Sequence, residues 1–155
     1  MSVATAPPPA DLEDHLGFWL RRVSNHVSQG FQQRLAAEGV SVAEWVALRT
    51  LLARPGCRQG DLIEALGITK GAASKLVTRL EGKGLAERLA PDAAGREQRL
   101  ALTAAGRARV PALAAQADAN DARFFGHLPD AERAALLATL QALAAHHGMA
   151  TLPTE

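Results

Sequence analysis

The stretch Gln59–Leu85 reads QGDLIEALGITKGAASKLVTRLEGKGL and predicts two short helices joined at a glycine. The first helix covers about Gln59–Leu66, and Gly67 follows at the position of a left-handed C-cap. Thr69 is an N-cap residue that can begin the second helix, which closes in a Gly-Lys-Gly sequence. Helix, tight turn and second helix in this order predict a helix-turn-helix.

A β-hairpin is predicted directly after this pair of helices. Two short alternating runs, Leu85–Leu89 and Arg99–Leu102, flank a turn-forming segment over residues 91–96. Between Arg58 and Arg109, ten Lys and Arg residues stand against six Asp and Glu residues, whereas the two flanks together are slightly acidic. A basic middle between acidic ends indicates one surface that faces a polyanion.

Amphipathic helices are predicted on both sides of this region. Apolar residues recur at steps of three and four over Leu12–Leu35 and again over Leu136–Ala144. The first helix would be about 40 Å long at 1.5 Å per residue, which is more than a small domain covers. We therefore expect both stripes to pair with a second copy of the chain; the alternative is packing within one subunit. Between them, Ser41 and Glu44 form a capping box that opens a short helix.

The predicted fold class is mostly α with a small β-hairpin wing, a winged helix-turn-helix whose helical dimerisation region comes from both chain ends. Pro111 is expected to bend the long helix that Thr103 caps, or to force local repair of its hydrogen bonds. The predicted segments, in chain order, are a disordered arm (1–10), a dimerisation helix (11–38), the winged helix-turn-helix DNA-binding region (40–102), further dimerisation helices (103–148) and a tail (149–155).

Composition and motif content exclude several other classes. The chain has 155 residues, 48% of them hydrophobic, which fits one globular domain, and no apolar run is long enough for a membrane span. The N-terminus lacks signal-peptide features, so we expect a cytoplasmic protein. Cys57 is the single cysteine, and the five histidines lack the spacing of a metal site. Neither a phosphate loop nor a nucleophile elbow nor a carboxylate pair is present, so we predict no cofactor and no enzymatic activity.

The outer face of the second short helix carries side chains that suit duplex DNA. With the cap residue, these are Thr69, Lys70, Ser74, Lys75, Thr78 and Arg79. A helix of this kind can enter a major groove about 12 Å wide, where Lys, Ser and Thr reach phosphates and base edges. The hairpin adds Arg96 and Arg99, and an arginine at its tip can enter the adjacent minor groove. The competing interpretation is a small helical core with solvated charges outside.

Several segments together resemble the MarR (multiple antibiotic resistance regulator) family. They are Gly39–Trp45, Gln59–Leu62, Leu66–Lys70, Leu76–Leu85 and Leu102–Gly106. The resemblance extends from about Leu12 to His147. It implies a homodimeric repressor that binds a palindromic double-stranded operator and releases it on binding a small, often phenolic, molecule. It also implies that Ser74, Lys75 and Arg79 meet DNA from the recognition helix and that Arg96 does so from the wing tip.

Two places depart from the family pattern. Gly71 and Ala72 stand where small hydroxyl side chains are common, so fewer base contacts are expected from this helix. Ala94 stands where an aspartate usually steadies the wing arginine, and Asp92 is the residue that could replace it.

A ligand pocket is predicted between the dimer-forming helices and the DNA-binding lobe. His15, Trp19 and Arg22 share one face of the first helix at steps of four and three, and the second tryptophan, Trp45, follows on the next helix. Together they could hold an aromatic ring and a carboxylate. The competing interpretation is that both tryptophans are core residues.

We therefore expect a homodimeric winged-helix transcription regulator. The alternative function is a winged-helix protein-interaction module without an operator of its own, which a gel shift against DNA flanking the gene would distinguish. A small-molecule enzyme is a distant third.

Overall fold

The computed structural model describes residues 7–91 and 98–155. Its elements in chain order are a 3-10 turn (Leu12–Asp14), α1 (Leu16–Ala37), α2 (Val42–Ala53), α3 (Gln59–Leu66), α4 (Lys70–Gly82), β1 (Ala86–Arg88), β2 (Leu100–Leu102), α5 (Ala104–Phe125) and α6 (Asp130–His146). The two strands pair antiparallel, with Ala86 opposite Leu102 and Arg88 opposite Leu100. The predicted winged helix-turn-helix fold is confirmed.

Side-chain caps start the helices at the predicted residues. The hydroxyl of Ser41 accepts a hydrogen bond from the amide of Glu44 at 3.1 Å, and the Glu44 carboxylate accepts one from the amide of Ser41 at 3.0 Å. Thr69 and Thr103 cap α4 and α5 through their hydroxyls in the same way. Gly67 ends α3 at φ 62°, a left-handed conformation that glycine adopts without steric cost.

Two helices differ in detail from the sequence pattern. α1 begins at Leu16, because His15 is extended and separates the helix from the preceding 3-10 turn. α5 runs through Pro111 to Phe125, so the proline lies within the helix. The hairpin tip, with Asp92, Ala94 and Arg96, lies outside the described residues.

The core lies in the winged lobe. Its largest fully buried side chains are Leu35, Leu48, Leu51, Leu62, Leu76, Val77, Leu80, Leu100 and Leu113. These come from the C-terminal end of α1, from α2 to α4, from β2 and from the first half of α5. In contrast, α6 buries none of its residues, and Leu16 at the start of α1 is 83% exposed. Within the described part of the protomer, the stripe of α6 and the Leu12–Val23 part of the first stripe therefore stay largely exposed, whereas Leu35 at the other end of that stripe belongs to the core.

α5 meets the wing through a close backbone approach at Gly106. A Cβ atom on this residue would lie 1.9 Å from the carbonyl oxygen of Leu85. The same carbonyl accepts a hydrogen bond from the amide of Thr103 at 3.1 Å, and the Thr103 hydroxyl donates to the carbonyl of Gly84 at 2.5 Å. This joint fixes the start of α5 against the start of the wing.

We expect Gly106→Ala to lower the free energy of unfolding by about 1–3 kcal/mol, the usual cost of overpacking, because the added methyl would meet backbone rather than a movable side chain. Gly60→Ala is the matched control, since nothing lies within 4 Å of its Cβ position in α3. There alanine should be neutral or stabilising by about 0.5–1 kcal/mol. Urea denaturation measures both, and a Gly106→Ala protein as stable as its parent would contradict the close approach.

Candidate nucleic-acid interface

α4 buries one face and exposes the other. The buried positions are Ala73, Leu76, Val77 and Leu80, at the spacing of a single helical face. Lys70, Lys75, Thr78 and Arg79 are exposed and Ser74 is half-buried. The hydroxyl of Thr69 accepts from the amide of Ala72 at 3.1 Å and is therefore held at the N-cap. All six residues predicted for this helix therefore lie on α4 or at its N-cap.

Lys70 and Lys75 carry the positive charge of this face. Within residues 7–91 and 98–155, neither ammonium group forms an ion pair. Lys70 is the first residue of α4, where the helix dipole adds positive potential, and Lys75 lies in the second turn. An anion that approaches this end of α4 would find two solvated cations free to pair with it.

Glu44 of α2 forms ion pairs with two cations at the C-terminal end of α4. Its side chain is 3% exposed, with one carboxylate oxygen 2.7 Å from Lys83 Nζ and the other 3.6 Å from Arg79 Nε. Lys83 Nζ also donates to the carbonyl oxygen of Gly39 at 2.7 Å. Both cations remain partly solvated, so the desolvation penalty of this cluster falls mainly on the Glu44 carboxylate. The C-terminal half of α4 is thereby tied to the turn between α1 and α2.

Arg88 links the wing to α4, and sequence reasoning did not select it. Its guanidinium lies 2.9 Å from the Glu81 carboxylate and donates to Thr78 Oγ1 at 3.2 Å and to the carbonyl of Ser74 at 3.3 Å. The available signal was its position two residues after Ala86, which places both on the inner face of β1. One edge of the predicted DNA-binding face is thus hydrogen-bonded to a strand.

Of the two predicted wing arginines, the structure describes Arg99. Arg99 pairs with Arg58 in an isolated antiparallel bridge, and its guanidinium donates to the carbonyl of Gly56 at 3.4 Å. It therefore ties the second strand to the loop before α3. Arg96 falls in residues 92–97, outside the described part of the chain.

A cavity of about 270 Å³ lies between α1, α2 and α5. Its apolar wall consists of Val27, Phe31, Val42, Trp45, Val46 and Ala117, and its polar wall includes Ser28, Asn120 and Asp121. Trp45 packs edge-on against Phe31, with ring centroids 6.4 Å apart, and the Arg49 guanidinium lies 5.4 Å from the Trp45 ring centroid. Aromatic walls and a volume just below the usual range of about 300–1,000 Å³ suit a small planar molecule.

Of the four residues predicted to bind a ligand, Trp45 lines this cavity, and His15, Trp19 and Arg22 do not. Trp19 precedes Phe31 by about 18 Å along α1, at 1.5 Å per residue. There the Arg22 guanidinium lies 5.6 Å from the Trp19 ring centroid, and the indole donates to the carbonyl of Glu13 at 2.9 Å. Within one protomer the structure thus separates the predicted group into two places.

Within the described residues, Cys57 and the possible metal ligands show no sign of a reactive or metal-binding site. Burial raises the pKa of the Cys57 thiol, and the nearby Asp61 carboxylate raises it further against the lowering effect of Arg54. The thiol therefore stays protonated near neutral pH. No group of three or more His, Cys, Asp or Glu side chains in the described ranges could hold a metal ion. None of the helices described has both the length and the hydropathy that crossing a bilayer requires.

Comparison with known proteins shows similarity to one family of regulators. Residues 38–97 match the model of the MarR family. BpsR of Bordetella bronchiseptica, whose structure concerns regulation of DNA binding by 6-hydroxynicotinic acid, is 27% identical with a TM-score of 0.75 over 88% of this chain and 98% of that chain. CouR from Rhodococcus jostii RHA1, bound to p-coumaroyl-CoA, is 28% identical with a TM-score of 0.73 over 88% and 96%.

A third similar structure is the MarR family protein Rv2887 of Mycobacterium tuberculosis in complex with salicylic acid. It is 29% identical with a TM-score of 0.66 and covers 83% of this chain and 96% of that chain. A search of curated proteins finds no match. The family model spans α2 to β1, and the solved structures share the architecture of most of the chain, so the chain is similar to the MarR family of winged helix-turn-helix, DNA-binding transcriptional regulators.

Proposed function

We propose that the protein is a homodimeric cytoplasmic repressor that binds a near-palindromic operator and releases it when a small aromatic ligand binds. The observation that carries this proposal is the exposed cationic face of α4, held from behind by Glu44 and at its edge by Arg88. Since the similar proteins are transcriptional regulators, we propose regulation rather than catalysis as its role.

The uncovered apolar stripes support the homodimer. The N-terminal end of the chain exposes Leu12 in the 3-10 turn and Leu16, Trp19, Leu20 and Val23 in α1, and α6 exposes Leu136, Leu137, Leu140 and Leu143. Between α5 and α6 runs an open groove whose apolar lining includes Phe125, Leu136, Leu137 and Leu140 and whose charged lining is Asp118, Asp121, Asp130 and Arg133. At about 25 cal/mol per Å² of buried apolar surface, covering these stripes favours association strongly. A second copy supplies a matching stripe for each groove, as a two-fold interface requires.

Two-fold symmetry determines how such a dimer meets DNA. Each protomer contributes one α4, so the operator should carry two inverted half-sites about one helical turn, or 34–36 Å, apart. Lys70 and Lys75 from both protomers then neutralise phosphates and release counterions. The affinity should therefore fall steeply as salt rises.

The aromatic cavity supports a small effector. Its wall residues Val42, Trp45 and Val46 belong to α2, and the first turn of this helix carries Glu44, which braces α4. A ligand that changes the packing of α2 against α1 and α5 would thus also displace the Glu44 carboxylate. Because this carboxylate contacts the end of α4, the recognition helix would move with it. Regulation requires that the ligand bind the DNA-incompetent arrangement more tightly than the competent one. Two of the three similar proteins are described with small aromatic molecules, salicylic acid and 6-hydroxynicotinic acid, whereas CouR is bound to the larger p-coumaroyl-CoA.

Light scattering should show a dimer at micromolar concentration, and Leu140→Glu should weaken the dimer at least tenfold, because it places a charge at the centre of the apolar face of α6. Ala138→Glu is the matched control, since residue 138 lies on the opposite side of the same exposed helix. A Leu140→Glu protein that dimerises as tightly as its parent would reject α6 as an interface.

Lys75→Ala should reduce the salt dependence of binding to DNA flanking the gene. If each Lys75 meets one phosphate, the slope of log affinity against log salt should flatten by roughly one per subunit. Lys75→Arg keeps the charge and should keep the slope, which fluorescence anisotropy over a salt series can measure. Equal slopes for Lys75→Ala and the parent would remove Lys75 from the interface. A failure to bind any of this DNA would favour the protein-interaction alternative.

A further inference from the structure

The segment Met149–Glu155, here called the tail, folds back onto the winged lobe. The amide of Leu152 donates to the carbonyl of Ala65 in α3 at 2.9 Å. The Thr151 side chain lies over Gly67, where a Cβ atom would come within 2.9 Å of Thr151 Cγ2. The tail is therefore anchored at the turn between the two helices of the helix-turn-helix.

Beyond this anchor the tail reaches the cavity between α1, α2 and α5. Pro153 and Glu155 form part of the cavity wall together with Phe31 and Trp45. Thr154 and Glu155 also line a neighbouring open groove, which includes Glu44 and Lys83. The tail thus passes along the first turn of α2, from the helix-turn-helix to α1.

We propose that the tail is a strap across the cavity and that a small aromatic ligand must displace it to enter. This inference rests on the effector site of the proposed function and concerns the regulation of that site. Pro153 is suited to an apolar wall because it has no amide donor to satisfy. Glu155 adds a negative charge to a wall that already contains Asp121, which disfavours anionic ligands while the strap is in place.

The anchor is weak enough to be displaced. Within the described residues, one backbone hydrogen bond joins the tail to α3, and Leu152 stays 44% exposed. If the cavity is open only in the fraction of molecules whose tail is released, the apparent affinity falls by that fraction. Ligand entry would also detach the tail from the turn before α4, which connects the cavity to the DNA-binding face by a second route.

The test uses salicylate as the probe and the full chain carrying Trp19→Phe, so that Trp45 is the fluorescent reporter. Leu152→Pro deletes the amide that anchors the tail, and Met149→Ala changes an exposed tail residue that precedes the anchor. We expect Leu152→Pro to bind salicylate at least threefold more tightly than the parent, and Met149→Ala to bind it as the parent does. Hydrogen exchange should show a protected Leu152 amide that loses its protection on saturation with salicylate.

Two results would overturn the strap alone. They are equal or weaker salicylate binding by Leu152→Pro, and a Leu152 amide that exchanges as fast as in an unstructured peptide. If no variant binds salicylate, the proposed effector site is contradicted and the strap with it. The first two outcomes leave the proposed function standing, so the two failures are distinguishable.

Discussion

The buried carboxylate of Glu44 holds α4, the predicted recognition helix, in its place. It accepts from the Ser41 amide at the N-cap of α2 and pairs with Lys83 and Arg79 near the end of α4. A charge buried to this degree cannot be left without partners, so any tilt of α4 that broke these contacts would carry a large penalty. Together with Arg88 on the wing side, this contact makes the exposed face of α4 a fixed pattern of charge.

The same contact connects the cavity to the face of α4 that is predicted to meet DNA. α2 forms one wall of the cavity through Val42 and Trp45, and its first turn carries Glu44. Gly106 ties α5, another wall of the cavity, to the start of the wing. Under the proposed function, a change of packing at the cavity would reach α4 through Glu44 and the wing through α5.

Local signals in the sequence predicted most of the fold. Ser41, Thr69 and Thr103 begin their helices as capping residues, and Gly67 ends α3, because each acts within three or four residues of its own position. The alternating runs around the wing likewise predicted a hairpin, although the strands are shorter than the runs. For α4, amphipathic spacing was enough to separate the exposed polar face from the core.

Contacts between distant parts of the chain were not predictable in this way. Glu44 carries a capping signal, but nothing local shows that Lys83 lies 2.7 Å from its carboxylate. The scarcity of aromatic residues in the chain suggests that Trp45 and Trp19 share one site, yet the ring that packs against Trp45 is Phe31. The hydrogen bond between Leu152 in the tail and Ala65 depends on the direction in which α6 runs. The spacing of apolar residues does not predict that direction.

The distance between the two recognition helices of a dimer tests the central claim most directly. A spin label at Gly71→Cys in a Cys57→Ala chain reports on it, since Gly71 is exposed and its Cβ position is open. Pulsed electron paramagnetic resonance should give one narrow distribution within about 30–40 Å, the spacing of successive major grooves on one side of DNA. The same measurement with Glu44→Gln should give a clearly broader distribution. An absence of dipolar coupling, or a distribution that Glu44→Gln leaves unchanged, would contradict a paired recognition helix that Glu44 holds in place.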